Sequence, residues 1–158
     1  MDVLVYATRC AVGEEHLQAY QLLSTVVQRA YGISALQNIA RESGGKPYFP
    51  DCPDICFNLS HSYGAVACAV HDRPVGVDIE RLRPAPKRLA DGMEDIAFFY
   101  RWTAKEATVK RDGKGIGALI RDFDPVPLCQ SSAEILPGWI VTVCPSEKAE
   151  VRFFRFED

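Results

Sequence analysis

Three short, mostly apolar runs separated by turn residues place the tightest limit on how this chain folds. The runs cover residues 55–59, 65–70 and 75–79, and turns at residues 61–64 and 71–74 join them. Apolar runs of this length between turn residues are typical of buried strands. The sequence therefore predicts three consecutive strands in this region.

The flanking segments predict helices and further strands. Residues 3–6 form an apolar first strand. A helix begins near Gly13 and ends near Gly32, because apolar residues recur every three or four positions between them. Residues 94–112 contain no Gly or Pro and predict a second helix. Further strands are predicted at residues 118–123, 139–144 and 150–156.

These elements indicate an α+β fold with two similar halves. Residues 1–76 form the N-terminal half and residues 77–158 the C-terminal half. Each half is expected to be a helix packed on a small, mostly antiparallel sheet. At 158 residues the chain is long enough for the two halves to make one compact unit.

Charge is distributed unevenly along the chain. The formal net charge is -3, which argues against general nucleic-acid binding. Residues 81–121, however, contain ten Lys or Arg and five Asp or Glu, a surplus of five positive charges. This segment suits an anionic ligand, an acidic protein partner, or both.

The sequence contains no recognisable membrane or export segment. No apolar run reaches the length of a membrane span, and the first ten residues lack the basic start and cleavage site of a secretory signal. Among six cysteines only Cys52 and Cys56 are close, and no second pair completes a zinc motif. We therefore expect a cytoplasmic protein with reduced thiols and no membrane partner.

Two carboxylates share one face of the strand predicted from the apolar run at residues 75–79. Asp78 and Glu80 are two residues apart, so both side chains point away from the face that holds Ile79. Mg²⁺ usually takes a few carboxylates and fills its remaining positions with water and phosphate oxygens. Glu106 supplies a third carboxylate if the second helix crosses the end of this strand. In isolation, an Asp-x-Glu pair at a strand end is more often a solvated edge.

The second helix carries a matching set of side chains. Trp102, Glu106 and Lys110 are each four residues apart and share one helix face, with Lys105 on its flank. Lysines there can meet the phosphates that a metal leaves unneutralised. The alternative is a surface ion pair between Glu106 and Lys110 with Trp102 in the core. Taken by itself, a histidine between two serines, such as His61, is most often a turn residue that bonds to the backbone.

The order of these motifs resembles that of the 4'-phosphopantetheinyl transferases over roughly residues 44–121. The motifs are Gly45-Lys46-Pro47, Asn-Leu-Ser-His-Ser at 58–62, Gly-Val-Asp-Ile-Glu at 76–80, Trp-Thr-Ala-Lys-Glu-Ala at 102–107 with Lys110, and Gly113-Lys114-Gly115. Because the Leu-Ser-His motif comes first, the match is to the two-half, surfactin-synthetase-activating (Sfp-like) type. This type implies a monomeric pseudo-dimer with its site at the interface between the halves.

The resemblance implies a magnesium-dependent transferase, a holo-[acyl-carrier-protein] synthase. Such an enzyme moves 4'-phosphopantetheine from coenzyme A to a serine of an apo acyl or peptidyl carrier protein. Adenosine 3',5'-bisphosphate is released. By the same resemblance, residues 1–76 hold the nucleotide side of coenzyme A, and residues 77–158 hold the metal and the Lys-Glu helix.

The resemblance also assigns roles to individual residues. The metal ligands are Asp78, Glu80 and Glu106. The catalytic residues are Glu106, as the acceptor of the serine proton, and Lys110, as the donor of a proton to the leaving group. The contacts to coenzyme A are Lys46, Pro47, Ser60, His61, Ser62, Lys105 and Lys110.

The chain is unusually short for this type. Only three arginines precede Lys46, where members commonly carry basic residues near the 3'-phosphate, and only 21 residues separate Glu80 from Trp102. The alternative hypothesis is therefore a shortened, non-catalytic relative that binds coenzyme A or a carrier protein without transfer. A third hypothesis is another magnesium-dependent enzyme acting on nucleotide diphosphates.

Overall fold

The computed structural model describes residues 1–34, 36–115 and 130–157, and its architecture is α+β, as the sequence predicts. In chain order the elements are β1 (Val3–Arg9), α1 (Glu15–Tyr31), β2 (Ala40–Arg41), β3 (Pro47–Tyr48), β4 (Cys56–Ser62), β5 (Ala65–His71), β6 (Val75–Arg81), α2 (Lys87–Ala90), α3 (Asp95–Arg111), β7 (Ser131–Leu136), β8 (Trp139–Pro145) and β9 (Val151–Arg155). The strands form two sheets and one short ladder.

The first sheet has the strand order β4-β5-β1-β9. Strand β5 is antiparallel to both of its neighbours, β4 and β1. Strand β9 instead runs parallel to β1, with Val3 opposite Val151. A strand from the C-terminal segment therefore completes the sheet that begins with β1, a pairing that the predicted division at residue 77 does not anticipate.

The second sheet has the strand order β6-β8-β7 and is antiparallel throughout. Strands β6 and β8 pair along their whole length, from Val75 opposite Pro145 to Arg81 opposite Trp139. Strand β6 is therefore an edge strand of this sheet. Strands β2 and β3 form a separate two-stranded ladder.

The two sheets pack face to face through alternate side chains. Strands β1, β5, β6, β7 and β8 contribute the buried apolar members of this layer, which are Val3, Val5, Ala7, Ala65, Ala67, Ala69, Val75, Val77, Ile79, Leu136, Val141 and Val143. Because successive side chains on a strand alternate between faces, the neighbours of Ile79 face the other side of β6. Those neighbours are Asp78 and Glu80.

Each sheet also packs against one long helix. Helix α1 buries Leu22, Leu23 and Val26 in a cluster with side chains of β4 and β5. Helix α3 packs on β6 and β8 of the second sheet. A Cβ atom at Gly76 would lie 1.9 Å from the carbonyl oxygen of Ala107, so glycine permits this close approach of β6 and α3.

Side chains of β4 take the place of backbone pairing along the outer edge of β6. The N–H groups of Val77, Ile79 and Arg81 donate hydrogen bonds to Asn58 Oδ1 (2.8 Å), Ser60 Oγ (3.2 Å) and Ser62 Oγ (3.2 Å), respectively. We call these contacts the β4–β6 ladder. A buried N–H without a partner costs about 1–3 kcal/mol, so the ladder satisfies an edge that would otherwise be unpaired.

The structure confirms both long helices and six of the predicted strands, with boundaries shifted by up to three residues. It adds α2, β7 and the two-residue strands β2 and β3, which the sequence does not predict. The predicted turn at residues 61–64 is wrong in part, because His61 and Ser62 belong to β4 and pair with β5. The strand predicted at residues 118–123 lies outside the described residues. Among the helices that are described, none is long and apolar enough to cross a membrane.

The contact at Gly76 predicts the cost of adding a side chain there. We expect Gly76→Ala to lower the free energy of unfolding by about 1–3 kcal/mol, because the methyl group would overlap the backbone of α3. Urea denaturation followed by circular dichroism measures this loss. Gly115→Ala is the matched control, since no atom of the described residues lies within 4 Å of a Cβ at that position. Equal losses in the two variants would contradict the prediction.

Candidate active site

Asp78 lies at the centre of a polar cluster between β6, β4 and α3. Its Oδ1 atom accepts hydrogen bonds from Ser60 Oγ (2.9 Å) and from Lys110 Nζ (2.6 Å). The Lys110 ammonium also donates to Ser60 Oγ (2.9 Å). The Oδ2 atom of Asp78 is buried and has no hydrogen-bond partner among the described residues. Burial raises the pKa of Asp78, and the neighbouring Lys110 opposes that rise.

Glu80 lies on the same face of β6 and is held by a second hydroxyl and a second cation. Its Oε2 atom accepts hydrogen bonds from Ser62 Oγ (3.2 Å) and Arg83 Nη1 (2.9 Å). The guanidinium of Arg83 lies over the rings of Phe99 (4.7 Å) and Tyr63 (5.1 Å), which fix its position. Asp78 and Glu80 thus share the face that the sequence predicts.

Glu106 approaches both carboxylates from α3. Its side chain is half-buried, and burial raises its pKa to about 7, with repulsion from Asp78 and Glu80 adding to the rise and Lys110 opposing it. The repulsion indicates that the three carboxylates are electrostatic neighbours. The helix therefore crosses β6 where the sequence requires it to, and Glu106 and Lys110 lie on the face of α3 that meets the strand.

These carboxylates fit a divalent cation by their chemistry. Hard cations such as Mg²⁺ take carboxylate oxygens, and Asp78 Oδ2 is an unpartnered buried oxygen beside two further acids. Their side chains are not gathered around one point, and within residues 1–34, 36–115 and 130–157 no three His, Cys, Asp or Glu form a ready cation site. Lys110 and Arg83 occupy part of this space. The assignment of metal ligands stays a prediction.

A cleft of about 220 Å³ adjoins Lys110. Its walls include the Gly44-Gly45 turn, Lys46, Pro47 and Lys114. The Nζ atom of Lys46 donates to the carbonyl oxygens of Arg111 (2.8 Å) and Val75 (3.1 Å), so this ammonium fastens the end of α3 to β6. Burial lowers the pKa of Lys46.

Lys105 and Trp102 line a different cavity, of about 320 Å³, with Met93 and Phe98. The Trp102 ring stacks on Phe98 with a centroid distance of 5.9 Å and belongs to a cluster around Phe99. Trp102 is therefore a packing residue, as the simpler interpretation of the sequence holds. Five positions along a helix correspond to a rotation of roughly 140°, which separates Lys105 from Lys110.

His61 lies apart from the carboxylates. It is exposed and occupies the face of β4 opposite to Ser60 and Ser62. Its acidic neighbour is Glu15, whose carboxylate accepts hydrogen bonds from the N–H groups of Gly13 (2.6 Å) and Gly64 (3.0 Å). The structure thus brings Ser60, Ser62 and Lys110 to Asp78 and Glu80 but does not bring His61 there.

Two features of the site escape the sequence interpretation. Arg83 carries no motif, and only its spacing of three residues from Glu80 hints at an ion pair. The ladder role of Asn58, Ser60 and Ser62 is signalled by small polar residues at every second position of the segment that forms β4. Such alternation predicts one polar face but does not identify the strand that it meets.

Sequence comparison relates the chain to named transferases, although no protein-family model matches it. A 4'-phosphopantetheinyl transferase of Bacillus subtilis is 32% identical over 119 residues, or 65% of this chain and 53% of that protein. The 4'-phosphopantetheinyl transferase psf-1 of Bacillus pumilus is 34% identical over 137 residues, or 76% of this chain and 56% of that protein. The 4'-phosphopantetheinyl transferase HetI of a Nostoc species is 32% identical over 121 residues, or 62% of this chain and 51% of that protein.

The chain spans about half the length of these curated relatives. Its similarity to several of them agrees with the order of its motifs. One of the matched proteins is the transferase Sfp itself, from Bacillus subtilis, at 32% identity. The chain therefore belongs to the 4'-phosphopantetheinyl transferase superfamily and matches its surfactin-synthetase-activating (Sfp-like) type.

Proposed function

We propose that this protein is an enzyme that transfers 4'-phosphopantetheine from coenzyme A to a serine of an apo acyl or peptidyl carrier protein, with Mg²⁺ as cofactor. The observation that carries the proposal is that Lys110 of α3 bonds to Asp78 of β6 beside a lysine-lined cleft, with Glu80 on the same strand face and Glu106 on the same helix. Transfer of a phosphate-linked group depends mainly on alignment and charge neutralisation, which such a cluster supplies. The names of the relatives support the same reaction.

Asp78, Glu80 and Glu106 would hold the Mg²⁺ ion. The buried, unpartnered Oδ2 atom of Asp78 supports this assignment, as does the mutual repulsion of three neighbouring carboxylates. Bound Mg²⁺ would neutralise diphosphate oxygens of coenzyme A and make the phosphorus a better electrophile.

The cleft beside Lys110 would seat part of coenzyme A. Lys46 and Pro47 form one wall, and Lys110 lies where the cleft meets the carboxylates. We propose that Lys110 contacts the diphosphate. Lys105 lines the neighbouring cavity, on a different side of α3 from Lys110, and its contact with coenzyme A stays a prediction.

We propose that the contacts to the 3'-phosphate of coenzyme A come from β4. His61 is exposed and has its ring available to an anion. The hydroxyls of Ser60 and Ser62 already bond to β6 and its carboxylates, so any contact of theirs with coenzyme A is proposed in addition to those bonds. His61 is therefore the residue of this group on which a test should concentrate.

Side chains of this protein can accept and supply the protons that the transfer step requires. The carrier serine oxygen forms a bond to the phosphorus of the phosphopantetheine arm, and the bond from that phosphorus to the bridging diphosphate oxygen breaks. Glu106 would accept the serine proton, because it is the carboxylate presented by the helix and no cation of the described residues lies as close to it as Lys110 lies to Asp78. Lys110 would supply a proton to the departing adenosine 3',5'-bisphosphate.

The proposal retains the sequence-based organisation into halves over residues 1–76 and 77–158, with the site between them. The division falls within β6, and the β4–β6 ladder supports a site between the halves, since it joins side chains at residues 58–62 of the first half to N–H groups at residues 77–81 of the second. We further propose that the protein is a cytoplasmic monomer. Its partners are coenzyme A and the carrier protein, and it binds neither nucleic acid nor a membrane. Size-exclusion chromatography with light scattering tests the monomer.

The alternative is a non-catalytic relative that binds coenzyme A or a carrier without transfer. Two observations favour it. The chain spans about half of its relatives' length, and both β6 carboxylates are already paired with cations of the chain. Coenzyme A binding by calorimetry without turnover would select this alternative.

The transferase proposal predicts a mass gain on a carrier protein. Incubation with coenzyme A, Mg²⁺ and a panel of apo carriers should add one phosphopantetheine group to at least one carrier, as measured by intact-protein mass spectrometry. Chelation of the metal should stop the reaction, since the carboxylates would then lack their cation. No mass gain on any carrier would overturn the proposal. Nucleotide release without a carrier would favour a different magnesium-dependent enzyme.

The assignment of Glu106 predicts the result of replacing its carboxylate. Glu106→Gln should lower kcat by roughly 10²-fold or more, because a proton acceptor and a metal ligand are lost together. The melting temperature should not fall, since the substitution removes repulsion from Asp78 and Glu80. Glu147→Gln, at an exposed residue paired with Arg73, is the matched control and should keep full activity. A fully active Glu106→Gln enzyme would remove Glu106 from the mechanism.

A further inference from the structure

The same arrangement of groups occurs twice along β6. In each copy a serine of β4 donates to one carboxylate oxygen, a cation of the chain donates to that same oxygen, and the serine oxygen accepts the N–H of the next residue on β6. The first copy consists of Ser60, Asp78, Lys110 and the Ile79 N–H. The second copy consists of Ser62, Glu80, Arg83 and the Arg81 N–H.

Ser60 uses every hydrogen bond that its hydroxyl can make. A serine hydroxyl offers one donor and two acceptor lone pairs. Ser60 donates to Asp78 Oδ1 (2.9 Å) and accepts from Lys110 Nζ (2.9 Å) and the Ile79 N–H (3.2 Å). The position of the carboxylate is therefore tied to the position of the strand that carries it.

In each carboxylate, one oxygen accepts both hydrogen bonds from the serine and the cation. Asp78 Oδ1 has two donors, whereas Oδ2 is buried and has none among the described residues. Glu80 Oε2 likewise has two donors, Ser62 and Arg83. Each serine thus helps to fix which oxygen is taken, Oδ1 of Asp78 and Oε2 of Glu80.

We propose that Ser60 and Ser62 are positioning residues, which orient Asp78 and Glu80 so that one oxygen of each carboxylate is left for a divalent cation. The proposal rests on the proposed function, because it concerns the same three acids. It gives the serines a role through the carboxylates, separate from any contact with coenzyme A.

A hydroxyl on β4 suits this role better than the cations do. Lysine and arginine have long side chains with several rotatable bonds, whereas serine has a single χ1 angle and lies here on a strand that pairs with β5 along its whole length. The side chains of Ser60 and Ser62 are nearly buried, at 5% and 8% exposure. Groups held in this way by packing and hydrogen bonds keep the geometry of a site within narrow limits.

The experiment measures Mn²⁺ as a probe of the cation site, independently of transfer. Titration of the full chain with Mn²⁺, in the absence of coenzyme A so that any contact of the serines with that ligand does not contribute, is followed by electron paramagnetic resonance of the free ion. We expect Ser60→Ala to raise the Kd for Mn²⁺ by about tenfold, the usual effect of removing a hydrogen-bond partner of a metal ligand. Ser62→Ala should raise it less, because Arg83 still holds Glu80.

Two control variants separate positioning from general stability. Ser132→Ala removes a serine hydroxyl of the second sheet, which contains β6; among the described residues this hydroxyl bonds to Thr142 Oγ1 (2.7 Å) and to no carboxylate. Asn58→Ala removes one contact of the β4–β6 ladder without touching Asp78 or Glu80. Both should keep the Mn²⁺ affinity within about twofold, although Asn58→Ala should lower the melting temperature, since the Val77 N–H loses its partner.

The outcomes distinguish this proposal from the proposed function. Unchanged Mn²⁺ affinity in Ser60→Ala, or an equal loss in Asn58→Ala, would overturn the positioning role even if the wild-type chain transfers phosphopantetheine. The absence of Mn²⁺ binding by the wild-type chain would overturn it as well. A tenfold weaker affinity in Ser60→Ala supports the role even if no carrier is modified, and in that case only the transferase proposal fails.

Discussion

The outer edge of β6 is the constraint on which the rest of the structure depends. Its N–H groups point toward β4, and they are satisfied by side chains and not by a neighbouring backbone. Directly paired strands lie about 4.8 Å apart, which leaves no room for a side chain between them. A bridge through Asn58, Ser60 and Ser62 holds the strands farther apart. The same hydroxyls can then reach beyond the backbone to Asp78 and Glu80, so the missing backbone pairing makes the site possible.

The fold must also place a positive charge beside the buried Asp78 carboxylate, and helix α3 provides it. A buried carboxylate is costly unless a charge or hydrogen bonds compensate it, and Asp78 is 4% exposed. Lys110 supplies the compensating charge only because α3 lies close to β6. Gly76 permits that approach at Ala107, three residues before Lys110 on the helix. A glycine two residues before Asp78 therefore determines whether the acid has a partner.

The periodic features of the site could be predicted from the sequence, and the features that join distant segments could not. Alternation placed Asp78 and Glu80 on one face, and four-residue spacing placed Glu106 and Lys110 on another. No local pattern in the sequence indicates that side chains of β4 contact the edge of β6. The two strands are separated along the chain by the whole of β5 and are not neighbours within one sheet. The prediction that His61 lies in a turn failed because the β4–β5 hairpin turn is tighter than its polar residues suggest, with only Tyr63 and Gly64 outside the strands.

The contacts that join distant segments also explain why the two predicted halves depend on each other. The β4–β6 ladder crosses the division at residue 77 once, and the parallel pairing of β1 with β9 crosses it again. Separation at residue 77 would leave the outer N–H groups of β6 and the β9 side of β1 without partners, and it would expose both faces of the apolar layer between the sheets. The acids on β6 and the serines that hold them would then belong to different pieces. The candidate site is therefore a property of both sheets together.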